Sequence, residues 1–311
     1  MNGSQDSIGF SSTTTATATD VSRWHPSSGY KDLWKKLVSE IPDAEMLVVS
    51  TVKQIVKHDA DAWSEMSLSE NEYRRDSYLI RYGLPLAELA GWPKRNDPIV
   101  AEALAVNFFW AECWRRLDNV LDTNTVDQDE VGKLAVAICR ATKIHFNVAN
   151  CLDIESFQEM QDSLQLVCAI AKKERRAPIE REDIWLRATP FLIVPRTLLR
   201  LSPEHEDIYK AYINVNGLAH DIHDLMSDHK LGIQSLPVSW FGALDTDMAF
   251  RRDVVNAWFD KAEQELGSAI EHIKRLFSVK ELRVLSFFIR EADERKASLG
   301  KYSLPTGETN P

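Results

Sequence analysis

The stretch SPEHEDIYKAYINVNGLAHDIHDLMSDHKLG, residues 202–232, carries the start and stop signals of one long α-helix. Ser202 is a favoured N-cap residue, Pro203 suits the first helical position, and Gly232 stands where many helices end. Outward from this stretch, almost every segment after residue 28 places apolar residues at helical spacing. We find no convincing strand pattern, internal repeat or interdomain linker. The sequence therefore predicts an all-α protein, a single-domain helical bundle of about ten helices.

The same stretch collects side chains that bind metal ions. His220, Asp224 and Asp228 recur at every fourth residue, so on a helix they share one face. Asp221 and His223 flank that face. His220 and Asp224 border the apolar side of the helix rather than oppose it, which is typical of a cavity rim. A polar outer stripe on a long helix shows similar spacing, so this pattern alone leaves both interpretations open.

A second pair of carboxylates lies at the end of an earlier predicted helix, in LDNVLD. Asp118 and Asp122 are one turn apart, and Asn119 follows Asp118. Aromatic side chains precede this pair on the same helix: Phe108, Phe109, Trp110 and Trp114. Surface carboxylates normally lie opposite the apolar face rather than at its end. If the two acidic sets face each other across a helical bundle, they form an oxygen-rich site suited to Mg²⁺ rather than Zn²⁺.

A magnesium and phosphate site also requires fixed positive charge. Arg187 precedes Pro190 and Pro195, and proline inside a helix removes a hydrogen bond and clashes with the preceding turn. We therefore expect a broken helix that turns Arg187 into a cavity, where its guanidinium can pair with phosphate oxygens. A surface ion pair of Arg187 with Glu182 or Asp183 is the alternative. Further donors follow in the chain: Lys230, Lys301 and Tyr302.

Taken together, these motifs resemble the class I terpene synthases of the isoprenoid-synthase fold. DNVLD, residues 118–122, resembles the aspartate-rich DDxxD motif of that family, and HDIHDLMSD, residues 220–228, is similar to its (N/D)Dxx(S/T)xxxE motif. Arg187 in IWLRAT resembles the diphosphate-sensing arginine, and Lys301–Tyr302 resembles a C-terminal Arg-Tyr pair. The four motifs follow the order found in the family.

Some positions depart from the family pattern. Asn119 replaces the second aspartate of the first motif, and His220 replaces Asn or Asp, although imidazole is a poor magnesium ligand. Asp224 replaces Ser or Thr, Asp228 replaces Glu, and Lys301 replaces arginine. Chain length and the altered motifs further resemble the humulene-forming sesquiterpene cyclases of fungal tropolone-terpenoid pathways.

The resemblance implies a bundle around a central cavity. It also implies magnesium-dependent ionisation and cyclisation of an allylic prenyl diphosphate, here farnesyl diphosphate to a sesquiterpene hydrocarbon such as humulene, with release of diphosphate. The metal set, for three Mg²⁺ ions, is Asp118, Asp122, His220, Asp224 and Asp228. The catalytic set is Asp118, Asp122, Arg187, Asp224 and Asp228. The substrate-binding set is Arg187, Lys230, Lys301, Tyr302, Phe108, Phe109, Trp114 and Asn119. Asp221 is expected to orient a neighbour such as Arg187 or Lys301.

Composition excludes several kinds of partner. The 37 basic and 47 acidic residues give a net charge of −10, which argues against nucleic acid and an anionic membrane as partners. No apolar run approaches the length that spans a bilayer, and the four cysteines show no CxxC spacing. We expect a cytoplasmic monomer or homodimer. A disordered tail is expected over residues 1–27, one domain over 28–303, and a second disordered tail over 304–311.

Three alternatives remain open. GLAHDIHD resembles the LLHDIG core of HD-domain phosphohydrolases, in which His220 and Asp221 would bind the metal. That family needs an earlier ligand histidine, whereas His205 lies on the same predicted helix. A chain-elongating prenyltransferase of the same fold would need stronger aspartate motifs and a basic N-terminal pocket. In a non-catalytic helical scaffold, the carboxylates would have no chemical role.

Overall fold

The computed structural model describes residues 24–68, 71–94, 98–122, 127–148, 154–187, 189–240, 252–277 and 281–299. These residues form no strand, and eleven of their helices have at least seven residues, one of them π-helical. The α-helices are α1 (Lys31–Glu40), α2 (Asp43–His58), α3 (Ala60–Met66), α4 (Glu72–Asp76), α5 (Leu84–Leu89), α6 (Pro98–Asp122), α7 (Gln128–Asn147), α8 (Ile154–Glu174), α9 (Arg181–Leu186), α10 (Pro190–Leu199), α11 (Pro203–Leu231), α12 (Leu236–Ser239), α13 (Arg252–Leu276) and α14 (Arg283–Leu299). A π-helical segment, Ser77–Gly83, joins α4 to α5. The all-α prediction is confirmed.

Two long helices organise the bundle. α6 packs against α2, α7 and α10, whereas α11 packs against α9, α12, α13 and α14. Aromatic rings fill much of the core; the largest fully buried side chains include Trp110, Tyr209, Tyr212, Phe287 and Phe288. Burial of such rings supplies most of the driving force for helix packing. No helix in the described part of the chain is long and apolar enough to cross a bilayer.

α11 begins and ends where the sequence predicts. The N–H of His205 donates to the hydroxyl of Ser202 at 3.3 Å, which caps the first turn. Gly232 follows the last helical residue with a φ of 71°, a left-handed conformation that glycine adopts without steric cost. Both signals are local, which explains why they could be read from the sequence.

The predicted helix break is present at Pro190 but not at Pro195. α9 ends at Leu186 and α10 begins at Pro190, so Arg187 lies in the turn between the two helices. Pro195 lies inside α10. Its ring cannot donate to the carbonyl of Phe191, four residues earlier. The side-chain amide of Asn107 donates to that carbonyl instead, at 3.2 Å, and this contact lets the helix continue.

The folded part of the chain begins earlier than the predicted boundary at residue 28. Trp24 and Ser27 are buried. The indole N–H of Trp24 donates to Asp76 at 3.3 Å, and the backbone N–H of Ser27 donates to the same carboxylate. Arg75 neutralises Asp76 through a hydrogen bond of 2.9 Å. Residues 24–27 are therefore anchored by a buried polar contact that no local sequence pattern reveals.

Glu88, near the end of α5, caps the start of α14 from a different part of the chain. Its two carboxylate oxygens accept the backbone N–H groups of Val284 and Leu285 at 2.8 and 2.9 Å. The first N–H groups of a helix have no partner within the helix, so this carboxylate satisfies two of them. Only 8% of Glu88 is exposed.

Candidate functional site

Arg187 lies at the centre of a cluster of carboxylates. Its Nη1 is 2.8 Å from an oxygen of Glu174, and its Nη2 is 3.3 Å from an oxygen of Asp221. Only 19% of the arginine side chain is exposed, and both partners are buried further. The predicted contact between Asp221 and Arg187 is present. The alternative ion pairs with Glu182 and Asp183 are not what the structure shows, since Asp183 binds Lys173 at 2.6 Å.

The charge on Arg187 depends on residues from both motif helices. Burial lowers the pKa of its guanidinium, yet the net effect of the surroundings is to raise that pKa. The raising contributions come from nearby carboxylates: Asp221, Glu174, Asp118 and Asp228. Asp118 belongs to the first motif on α6, and Asp221 and Asp228 belong to the second motif on α11. The fold thus brings the two predicted motifs to the same guanidinium.

A second arginine joins the ends of the two motif helices. Arg175 donates from one Nη to the carbonyl of Leu121 and from the other to the carbonyl of Leu231, each at 3.1 Å. Leu121 is in the last turn of α6, and Leu231 is the last residue of α11. Helix C-termini carry partial negative charge, which a cation stabilises. Arg175 therefore fixes the spacing between the helix ends that carry the acidic motifs.

The row on α11 becomes more enclosed along its length. The side chain of His220 is 72% exposed, whereas that of Asp224 is 36% exposed. His220 Nε2 lies 3.3 Å from an oxygen of Asp224, and His223 Nδ1 lies 2.9 Å from the other oxygen. Contact with Asp221 is the main cause that raises the pKa of His220.

Asp228 is the most perturbed carboxyl group of the row. Burial is the largest cause that raises its pKa to about 6, and the charges of Asp221 and Asp224 raise it further. Negative charge is therefore concentrated at the end of α11 nearest to the bridge formed by Arg175.

The first motif is held from behind by α7. The side-chain amide of Asn119 donates to Glu130 at 3.4 Å, and Arg116 lies 3.4 Å from the same carboxylate. Asn119, predicted as a substrate contact, thus has a structural partner on the neighbouring helix. Asp118 acts on Arg187 across the bundle. The side chain of Asp122 lies outside the described residues, although its backbone ends α6.

Aromatic rings enclose a small cavity beside this charge cluster. Its empty volume, including the part open to solvent, is about 300 Å³, and its wall includes Tyr78, Tyr82, Phe108 and Phe191. Tyr82 and Phe191 stack with ring centres 5.2 Å apart, and the ring of Trp114 lies 5.7 Å from that of Phe191. The wall therefore combines rings from the π-helical segment, α6 and α10.

Tyr82 connects the cavity to the charged residues. Burial is the main cause that raises the pKa of its hydroxyl; Arg187 opposes the rise and Asp221 adds to it. Both charges can act only if they lie near the phenol. Arg187 and Asp221 therefore lie beside the cavity whose wall Tyr82 forms.

The predicted aromatic contacts divide into two groups. Phe108 lines the cavity, and Trp114 packs against its wall. Phe109 belongs to the core; it is 2% exposed and packs against Phe108 and the ring of His58. The side chain of Lys230 and the residues Lys301 and Tyr302 lie outside the described part of the chain, so their predicted roles stay predictions.

The donor atoms around Arg187 fit Mg²⁺ in their chemistry but do not form a closed cage. No three His, Cys, Asp or Glu side chains among the described residues are close enough together to hold a metal ion. Asp118, Asp224 and Asp228 nonetheless offer carboxylate oxygens from two helices. Protein sites for Mg²⁺ commonly use one or two carboxylates and complete the shell with water and substrate phosphate. The arrangement fits an ion that is bound together with an anionic substrate.

Sequence reasoning missed four residues that build the site. Glu174 and Arg175 end α8 and enter the turn after it, where they resemble ordinary surface charges. Tyr82 and Phe191 read as core residues of separate segments. Only the three-dimensional arrangement shows that they meet Arg187, α11 and one another. A hint was available for Phe191, since it directly follows the proline that was predicted to break the helix.

Two comparisons with known proteins complete the description of the site. No model of a known protein family matches the chain. No curated protein matches it either. The functional argument therefore rests on the motifs and on the geometry around Arg187.

Proposed function

We propose that the protein is a class I terpene cyclase, which ionises an allylic prenyl diphosphate with the help of Mg²⁺ and cyclises the resulting cation. Farnesyl diphosphate is the proposed substrate, and a sesquiterpene hydrocarbon such as humulene is the proposed product. The substrate length and the product follow from the motif resemblance. The reaction class is supported in addition by the arrangement of the site.

One observation carries the proposal. The guanidinium of Arg187 is surrounded by carboxylates from both acidic motifs, and it adjoins a cavity walled by aromatic rings. A diphosphate ester of an apolar alcohol has the same two parts, a polyanion joined to a hydrocarbon chain. The cluster and the cavity are thus complementary to the two ends of such a substrate.

Arg187 binds and orients the diphosphate. Two of its donors face Glu174 and Asp221, which hold the guanidinium in place, and its remaining N–H groups can bind phosphate oxygens. Positive charge fixed beside the departing diphosphate stabilises the charge that develops as the carbon–oxygen bond breaks. Mg²⁺, when bound by Asp118, Asp122, Asp224 and Asp228, supplies further charge to the leaving group.

The aromatic wall binds the hydrocarbon chain and excludes water. Tyr82, Phe191 and Phe108 present ring faces, which attract a cation by about 0.5–2 kcal/mol each. Exclusion of water is required, because water would capture the allylic cation as an alcohol before ring closure. The empty volume of about 300 Å³ is at the small end of ligand pockets, which typically span about 300–1,000 Å³. A chain of farnesyl length therefore requires some opening between the π-helical segment and α10.

The surroundings of His220 disfavour the phosphohydrolase alternative. An HD-type metal site needs His220 and Asp221 to bind the same ion. Instead, Asp221 is buried against Arg187, and the side chain of His220 is 72% exposed with its Nε2 directed to Asp224. The pair is already divided between two different partners.

The test is incubation of the full chain and Mg²⁺ with C10, C15 and C20 prenyl diphosphates, with products identified by gas chromatography and mass spectrometry. We expect a cyclic C15 hydrocarbon and stoichiometric diphosphate, and no product in excess EDTA. Asp118→Ala should abolish turnover, and Arg187→Lys should reduce it steeply because lysine keeps the charge but loses the bidentate fork.

Asp207→Ala serves as the matched control, since this aspartate is on α11 but its side chain is 71% exposed beside Lys210. Its turnover should equal that of the unmodified chain. Release of phosphate from nucleotides or simple esters, lost in His220→Ala but kept in Asp118→Ala, would replace the cyclase with the phosphohydrolase. Undiminished turnover of prenyl diphosphate by Asp118→Ala and Arg187→Lys would refute the assigned site.

A further inference from the structure

Exposed large apolar side chains concentrate on one face of α7. Val131, Val136, Ile138 and Phe146 are 41%, 55%, 40% and 38% exposed. They are four of the nine exposed large apolar residues in the described part of the chain. The outward side of a solvated helix is normally polar, and clustered apolar side chains on it mark an interaction surface. We call these four residues, with the exposed Ala135 and Cys139 between them, the α7 face.

The α7 face cannot be hidden by rotation of the helix. On the opposite side, Ala137, Ala141 and Ile144 are buried in the bundle. Arg140 ties the helix to α3, with ion pairs of 2.7 Å to Asp59 and 3.1 Å to Glu65. α7 is therefore fixed with its apolar side outward.

The charges that flank the α7 face are complementary to themselves. Asp129 and Lys143 each lie seven residues from Val136, which is about two helical turns. The side chain of Asp129 is 76% exposed, and Lys143 is exposed without an ion pair to any other described residue. If two copies of α7 lie antiparallel about a two-fold axis near Val136, Asp129 of each copy faces Lys143 of the other. A symmetric dimer forms both pairs at once.

We propose that the α7 face binds the same face of a second copy of this chain, giving a two-fold symmetric homodimer with antiparallel α7 helices. The self-matching charges favour a second copy over an unrelated partner, for which no such symmetry is needed. Residues 1–23 are a poor cover for the face, because they are mainly serine, threonine and other small or polar residues. Ala135 and Cys139 are small enough to let the two helix axes approach closely.

The proposed contact leaves the site around Arg187 open. Glu130, near the start of α7, binds Arg116 and Asn119 on the side turned toward α6. The α7 face lies on the other side of the same helix. This proposal is independent of the proposed function, and either can fail without the other.

Sedimentation velocity of the full chain over a range of concentrations tests the proposal. We expect a species of twice the 35.4 kDa chain mass. Val136→Glu, which places two like charges at the symmetry axis, should leave only monomer. Met46→Glu is the matched control, because Met46 is 64% exposed on α2, and it should dimerise like the unmodified chain.

Charge reversal tests the antiparallel register. Asp129→Lys alone and Lys143→Asp alone should each raise the dimer dissociation constant about tenfold, since each places like charges opposite one another twice. The double variant should return to within about threefold of the unmodified chain. A monomer at every concentration, a dimer that survives Val136→Glu, or single reversals without rescue would overturn the proposal. Dimerisation only after removal of residues 1–23 would assign the face to that segment and would overturn it as well.

Discussion

The carboxyl group of Glu88 should make the fold less stable as the pH rises through neutrality. Burial raises its pKa from 4.5 to about 7, although the N–H groups of Val284 and Leu285 act in the opposite direction. The unfolded chain exposes the group and restores the lower value. Between about pH 4.5 and pH 7, the folded state therefore binds more protons than the unfolded state. The associated stability is fully present below pH 4.5 and is lost as the pH rises through about 7.

The size of the effect follows from the two pKa values. The difference between 4.5 and about 7, at about 1.4 kcal/mol for each pH unit, corresponds to about 3 kcal/mol. Solvent screens this group little, since Glu88 is only 8% exposed. Arg283, the charged neighbour at the start of α14, already contributes by lowering the pKa.

Glu88→Gln is the informative variant, because glutamine keeps the shape and one acceptor oxygen but stays neutral at every pH. Urea unfolding should be measured for both proteins at pH 5 and at pH 8. The free energy of unfolding of the variant, relative to the unmodified protein, should rise by about 3 kcal/mol between these pH values. Glu45→Gln, an exposed control on α2, should follow the unmodified protein. Parallel profiles for Glu88→Gln and the unmodified protein would refute the reasoning.

Two further predictions concern packing around the site and at the start of the domain. Gly217→Ala should destabilise the fold by about 1–3 kcal/mol, because the new Cβ would lie 2.4 Å from a methyl group of Ile184; Ile184→Ala should recover part of that loss in the double variant, and additive effects of the two changes would contradict the contact. Asp76→Ala should cost about 3–5 kcal/mol in urea unfolding, because it leaves the buried Arg75 without its partner, whereas the exposed Asp61→Ala should cost almost nothing; equal costs would contradict the buried pair.

Local signals explain the parts of the fold that the sequence predicts well. Ser202, Pro203 and Gly232 act through the backbone of their own helix ends, so no distant contact could change their effect. Pro190 ends one helix and starts another for the same reason. At Pro195 the equally valid local argument fails, because a distant side chain, Asn107, satisfies the carbonyl that the proline leaves open.

Contacts between distant segments limit prediction of the site. The motif spacing placed Asp118, Arg187 and Asp221 in one site, and the structure brings them together. Glu174 could not be identified, since nothing near it in the chain shows that its carboxylate lies 2.8 Å from Arg187. The same limit applies to Trp24, whose indole finds its acceptor 52 residues away.

The position of Arg175 in the chain has a consequence for biosynthesis. It lies 54 residues after Leu121 and 56 residues before Leu231, the two carbonyls that it joins. On the ribosome, the first acidic motif and Arg187 therefore emerge long before the second motif. A nascent chain that stops short of Leu231 carries half of the acidic cluster and only one of the two anchors of Arg175. The complete cluster can assemble only in the last stage of translation, after α11 has left the exit tunnel.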